Sequence, residues 1–255
     1  MDTITKTKKL LSKGGQTLLN IIFPAQCAGC NDPVDTAGSL CAECWPKMTF
    51  ISPPFCAQCG YPFDYEISSE MLCGNCLASP PAFSRSRSVL KYDDNSRDMV
   101  LAFKHADRTD KTPVFAKWMA RTASDILKDK PIIAPVPLHP KRLIKRRYNQ
   151  SALLAKSIGS LSQSRVIPDL LLRTRDTNNQ GGKSIKGRHR NVQGAFSIHP
   201  RWEKEIVGKH ILLIDDVYTT GATVSACSDS LLRFGARQVD VLTLCRVVRP
   251  AILSI

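Results

Sequence analysis

Beyond the first third of the chain, apolar positions alternate between two spacings. Short near-continuous runs, Val89–Tyr92, Ile132–Pro137, Ile211–Ile214 and Val239–Leu244, read as strands buried on both faces, the pattern of a parallel sheet. Between them, apolar residues recur at helical spacing. Met99, Val100 and Phe103 mark a helix over Asp98–His105, and Phe115, Trp118, Met119 and Ile126 mark one over Val114–Leu127. Ser151–Ile158 and Thr223–Phe234 read as two more, the last stopped by Gly235. Such alternation predicts an α/β domain, a parallel sheet flanked by helices. Ala78-Ser79-Pro80-Pro81-Ala82 punctuates its start. We therefore expect a basic amphipathic segment over 1–24, a cysteine-rich module over 25–79 and the α/β domain over 80–250.

Composition narrows the function classes. No run of eighteen apolar residues occurs, so no membrane-spanning helix is expected. Leu10–Phe23 follows basic residues as a signal peptide does, but Gly14, Gly15, Gln16 and Asn20 interrupt its apolar core. The net charge of +14 is uneven: residues 1–80 hold five Lys/Arg against seven Asp/Glu, so the surplus lies in the α/β part. Positive charge there suits polyanionic partners such as pyrophosphate or nucleic acid.

Eight of the ten cysteines form four Cys-x-x-Cys pairs: Cys27/Cys30, Cys41/Cys44, Cys56/Cys59 and Cys73/Cys76. Two pairs supply the four thiolates of a closed structural zinc site, so the set predicts two Zn²⁺ ions. Sequential pairing (Cys27 to Cys44, Cys56 to Cys76) and interleaved pairing both satisfy the spacing. Apolar residues are sparse between the pairs, so metal must stabilise this module. Cys227 and Cys245 stand alone in apolar contexts and read as core residues.

The stretch ILLIDDVYTTGAT, residues 211–223, carries the sharpest chemistry. A buried strand delivers two adjacent carboxylates to the carboxyl end of a sheet, where open α/β folds bind ligands. The small-residue turn and helix start behind them offer backbone N–H groups to an anion. Together they describe a pocket for a sugar 5-phosphate. These residues resemble the phosphoribosyltransferase signature. That resemblance assigns Asp215 and Asp216 to the ribose hydroxyls of phosphoribosyl pyrophosphate (PRPP), and Thr219, Thr220, Gly221, Ala222 and Thr223 to its 5′-phosphate.

Two basic loops accompany the sheet. The first follows Pro135 and carries His139, Lys141, Arg142, Lys145, Arg146 and Arg147 before Tyr148, Asn149 and Gln150. His139, Arg142, Arg146 and Arg147 are candidates for binding pyrophosphate, since guanidinium grips phosphate in bidentate fashion. The second, Arg173 to Phe196, reads as a mobile lid over an anionic ligand or as a connector.

The order of these motifs (four cysteine pairs, PVPLH with a basic tail ending in Asn149-Gln150, RTR, NV-x-GAF, then the Asp-Asp signature) resembles the ComF family of double-zinc-ribbon, phosphoribosyltransferase-like proteins. The family's usual Arg-Gly-Phe-Asn-Gln appears here as Arg147-Tyr148-Asn149-Gln150 preceded by Arg146; its glycine is replaced by arginine or lost to a shift by one. The resemblance implies a type I phosphoribosyltransferase-like fold, PRPP bound with Mg²⁺, contact with single-stranded DNA, and a role in DNA uptake, natural competence or use of DNA. It further implies a competence helicase as a partner and a cytoplasmic location, or a peripheral one at the inner membrane. Two functions compete. One is a true phosphoribosyltransferase releasing pyrophosphate onto an unidentified acceptor. The other is a PRPP-binding protein that contacts DNA without turnover, with Tyr148, Trp202 and Tyr218 as its stacking platforms.

Overall fold

The computed structural model describes residues 24–36, 38–66, 68–105, 109–175, 192 and 194–248. All but the last residue of the expected amphipathic segment, and residues 176–191 of the second basic loop, lie outside the described residues. The chain divides into two compact units, Met1–Lys47 and Met48–Ile255.

In the second unit the order is α1 (Gly74–Ala78), β1 (Arg85–Lys91), α2 (Asp94–His105), α3 (Thr112–Thr122), α4 (Ser124–Leu127), β2 (Ile132–Pro135), α5 (Pro140–Arg146), α6 (Gln150–Ser162), β3 (Leu171–Arg173), β4 (Phe196–Ile198), β5 (His210–Tyr218), α7 (Ala222–Arg233) and β6 (Gln238–Arg246). Four strands form one sheet in the order β1-β6-β5-β2, every pair parallel. β3 and β4 form a separate antiparallel pair. The fold is the expected parallel sheet flanked by helices, and its central strands β5 and β6 are the longest and are buried over most of their length. Cys227 and Cys245 are fully buried, as expected of core residues.

Most elements run beyond the limits that periodicity marks. β1 starts at Arg85, because Ser86 and Ser88 fill the buried positions while Arg85 and Arg87 take the partly exposed ones. Ser88 Oγ meets Thr243 Oγ1 on β6 at 2.7 Å, which satisfies two buried hydroxyls at once. Val114–Leu127 is broken at Ala123 into α3 and α4. At the amino ends of the strands, buried Asp240 of β6 accepts from Arg85 Nε (2.9 Å), His210 Nε2 (3.0 Å) and Gln238 Nε2 (3.2 Å). Burial opposes its charge, but these donors outweigh it and hold the Asp240 carboxyl below its usual range. The amino edge of the sheet is thereby tied together by one carboxylate.

The cysteines pair sequentially. Cys27, Cys30, Cys41 and Cys44 form one cluster and Cys56, Cys59, Cys73 and Cys76 another, with the sulfurs of each within 4.8 Å of one another. Cys30–Cys41 and Cys59–Cys73 sulfur separations are both 3.6 Å. That approaches the ~3.8 Å edge of a tetrahedron with metal–sulfur bonds of ~2.3 Å. Backbone N–H groups also aim at sulfur: Gly29 and Cys41 at Cys27 Sγ (3.3 and 3.2 Å), Cys59 and Cys73 at Cys56 Sγ (3.5 and 3.3 Å). Burial alone would raise both thiols, but these donors bring Cys27 down to about 6 and Cys56 to about 7. Two sets of four sulfurs at this spacing are two structural zinc sites.

The second site belongs to the core of the α/β unit. Its four cysteines and Phe83 pack in one apolar cluster with Ile211, Tyr218, Ala222 and Val241. Its knuckle lies against β1: Ser86 N donates to Gln58 O at 2.6 Å, Arg87 Nη1 to Ala57 O at 3.1 Å, and the Arg87 guanidinium lies 4.6 Å over the Phe55 ring. Gly60, with φ +71°, abuts the Ser86 carbonyl so closely that a Cβ there would collide with it.

Purified protein is expected to carry two zinc ions per chain by elemental analysis, and Cys27→Ser/Cys30→Ser to carry one. Cys56→Ser/Cys59→Ser should also lower the melting temperature of the α/β unit by about 10 °C or more, because this site is part of its core. An unchanged melt in the second variant would contradict that role.

Candidate functional site

All four parallel strands end on the same edge, and three chain segments converge there. β5 runs past its apolar run to Tyr218, so Asp215 and Asp216 lie within the ladder rather than on a free loop; Asp215 is in register with Thr243. The turn 219–221 follows, and α7 begins at Ala222 with Gly221 as its N-cap. Gly221 has φ +76°, and the Tyr218 ring and hydroxyl occupy the space a Cβ would need. Only glycine fits this position. Thr220 Oγ1 accepts from Ala222 N at 3.5 Å, bending the turn toward the helix start. Thr219 is exposed and Thr220 and Thr223 are half-buried, and the first-turn amides of a helix such as α7 lack intrahelical partners, which suits an anion.

The first basic loop is fastened to this edge from the β2 side. Val136 N donates to Ile214 O at 2.9 Å, continuing the β2–β5 ladder. His139 caps α5, its Nδ1 accepting from Lys141 N at 3.4 Å. Arg142 and Arg146 stand on α5, and Arg146 Nη1 reaches Gln150 Oε1 at 3.4 Å. Arg147 ends that helix at φ +65°, ψ −20°. This is the left-handed conformation a glycine would take at a cost lower by about 1 kcal/mol. A left-handed backbone here fits in-place replacement of the family pattern's glycine by arginine. Asn149 then caps α6 and donates to Val136 O at 3.0 Å.

Two residues that sequence reading missed complete the site. Ser151 Oγ donates to Asp215 Oδ1 at 3.1 Å. Lys104 Nζ, from the end of α2, pairs with Asp216 Oδ2 at 3.1 Å. Lys104 is itself held by the first loop, since Gln150 Nε2 donates to its carbonyl at 3.1 Å and Tyr148 Oη donates to Phe103 O at 2.8 Å. The Asp pair therefore sits between a hydroxyl and an ammonium supplied by two other segments.

Electrostatics here work against stability. Burial first, and the neighbouring Asp216 charge second, push Asp215 up to about 7, although the Asp216 amide, Lys104 and Ser151 partly offset them. A carboxyl whose folded value lies above its unfolded one holds its proton more tightly in the fold. Its contribution is full in acid and is lost as pH rises through about 7. Asp215→Asn is accordingly expected to be more stable than the wild type at pH 8, by at most about 4 kcal/mol, with the gap closing toward pH 4. Urea denaturation across that range checks this; parallel stability curves would contradict it.

The three expected stacking aromatics have internal roles. Tyr148 is half-buried with its hydroxyl engaged. Trp202 donates to Asp169 Oδ1 at 3.0 Å, with the guanidinium carbons of Arg201 and Arg165 at 4.4 and 5.6 Å from its ring centre. Tyr218 is buried beneath Arg246. Lys183, Lys186, Arg188, His189 and Arg190 of the second basic loop lie outside the described residues.

Comparison with known proteins agrees with this architecture. The double zinc ribbon domain is matched over residues 18–77. The chain is 31% identical over 236 residues to the DNA utilization protein YhgH of Escherichia coli (strain K12), spanning 89% of this chain and all of that one. It is 28% identical to Competence protein F of Haemophilus influenzae over 88% of this chain and 98% of that protein. It is also 28% identical to Competence protein ComFC of Bacillus subtilis, over 81% and 84% of the two. Among solved structures, a glutamine phosphoribosylpyrophosphate amidotransferase from B. subtilis aligns with a TM-score of 0.33 and 17% identity, covering 56% of this chain and 30% of that one. No helix among the described residues is long and apolar enough to cross a membrane. By its two cysteine clusters and by relatives that it matches along most of their length, the chain belongs to the ComF family of double-zinc-ribbon proteins.

Proposed function

We propose that this edge binds PRPP, and that the protein uses it in DNA uptake or utilization, as the names of its relatives suggest for them. The observation that carries the reading is the Asp215–Asp216 pair set directly before a glycine-capped helix start, with Ser151 and Lys104 already bonded to the two carboxylates. Ionised carboxylates accept from vicinal hydroxyls, so Asp215 and Asp216 take the ribose diol. The amides of Thr219, Thr220, Gly221, Ala222 and Thr223 take the 5′-phosphate. Arg142, Arg146 and Arg147 take the pyrophosphate end, with His139 at the start of their helix. Mg²⁺ carried in with PRPP would neutralise the pyrophosphate oxygens. Lys104 pairs with Asp216 Oδ2 at 3.1 Å, so ligand hydroxyls would compete with it for that oxygen.

Single-stranded DNA contact rests on the positive surplus beyond residue 80 rather than on stacking, because Tyr148, Trp202 and Tyr218 are engaged internally. Backbone contact of this kind weakens steeply with salt. Chemistry and biology separate in one experiment. Calorimetry with PRPP and Mg²⁺ is expected to show binding by the zinc-loaded protein, and at least about a hundredfold loss in Asp215→Ala/Asp216→Ala. The same variant should keep its DNA affinity and salt dependence. Unchanged PRPP affinity would sink the pocket assignment. Pyrophosphate release measured with candidate acceptors, with and without single-stranded DNA, then decides turnover. Release dependent on one acceptor establishes a phosphoribosyltransferase; tight binding without release establishes a PRPP-binding DNA-utilization protein.

A further inference from the structure

One buried cation joins the second zinc site to the phosphate turn. Arg246, the last residue of β6, is only 4% exposed. A guanidinium stays protonated, so burying it demands a counter-charge. Among the described residues no carboxylate pairs with it. Its partners instead come from the second ribbon and from the end of β5. Nη1 donates to the Cys59 carbonyl, and Nη2 lies 3.9 Å from Cys59 Sγ. Its guanidinium carbon lies 4.4 Å over the Tyr218 ring and 5.5 Å from the centre of Tyr61.

The counter-charge is the metal site itself. Four thiolates around Zn²⁺ leave a net charge of about −2, whereas neutral thiols leave none. On its other side the cation presses Tyr218, whose ring closes the space beside Gly221, the residue from which α7 and its anion-facing amides start. Phe83, in the same apolar cluster as the four cysteines, meets Tyr218 edge-on at 6.3 Å. Ribbon, cation, aromatic ring and glycine thus form one continuous contact chain from sulfur to phosphate turn.

We propose that Arg246 is a positioning residue through which the zinc-loaded Cys56/Cys59/Cys73/Cys76 site holds the turn 219–223 in its anion-binding form, so that losing this metal ion switches off phosphoribosyl binding. The inference rests on the assignment of that turn to the 5′-phosphate. Its test has one arm that does not need the ligand. In a Cys27→Ser/Cys30→Ser background, which isolates the second site, three quantities are compared for Arg246 and Arg246→Met. They are zinc release to a colorimetric chelator, hydrogen exchange of the amides of 218–224, and calorimetric affinity for PRPP with Mg²⁺.

Arg246→Met is expected to release zinc about tenfold faster, to raise exchange in the turn about tenfold and to weaken PRPP binding about tenfold, the loss of one charge-assisted contact. Arg246→Lys, which keeps the charge without the planar stack, should retain zinc nearly as well yet protect the turn less. Extracting zinc from the unmutated second site should loosen the turn as the Met variant does, an arm that decides the matter if that variant does not fold. Unchanged exchange in the turn after either treatment overturns the coupling, whether or not PRPP binds. If unmutated protein binds no PRPP while the turn still responds to zinc, the ligand assignment fails and the coupling stands.

Discussion

A parallel sheet has a single carboxyl edge, and this constraint governs where every candidate functional group lies. Because β1, β6, β5 and β2 all run the same way, the segments that leave them must emerge side by side. The Asp pair ends β5, the basic helix follows β2, and α2, which carries Lys104, follows β1. Ser151 and Lys104 reach Asp215 and Asp216 only because residues 148–151 and 103–104 are bonded to each other at this edge. Reversing any one strand would carry its loop to the opposite edge, where Asp240 instead collects Arg85, His210 and Gln238.

The two edges show the same physics put to opposite use. Asp240 is buried with donors that outweigh its desolvation, and it stabilises the fold as an ionised group. Asp215 is half-buried beside a like charge, and its ionised form is disfavoured. Charge held at such cost is expected where a ligand supplies the missing donors. Arg246 belongs to a third class, a buried cation answered by a metal–thiolate cluster instead of a carboxylate. In this arrangement zinc does more than close a small loop: it completes the electrostatics of a strand end in the α/β unit.

Much of this was legible in the sequence. Long apolar runs marked the cores of β2, β5 and β6, and helical periodicity marked α2, α3, α6 and α7. The Asp-Asp-to-Thr-Thr-Gly stretch marked the junction of β5 and α7. Cysteine spacing showed two zinc sites but not their pairing, since the same spacing serves both schemes and only the sulfur geometry separates them. β1 lost its first half because Arg-Ser-Arg-Ser reads as a loop until the buried serines find Thr243 and the Gln58 carbonyl. Lys104 and Arg246 carried no signal, because Asp216 and Cys59, which they respectively meet, lie over a hundred residues away in sequence and a lone basic residue looks like surface. Tyr218 read as an exposed stacking ring because the cation that covers it is 28 residues further on. Arg147 carried no backbone signal either: a left-handed φ is common for glycine and rare for arginine, so nothing in the residue type announced it.

On the proposed function, a phosphoribosyl group occupies the end of β5. A crystal structure of the zinc-loaded protein with PRPP and Mg²⁺ tests it most directly. The account predicts the 5′-phosphate on the amides of residues 219–223, the ribose hydroxyls on Asp215 and Asp216, and Lys104 displaced from Asp216. PRPP seated elsewhere, or the Lys104–Asp216 pair intact beneath an empty turn at saturating ligand, would contradict it.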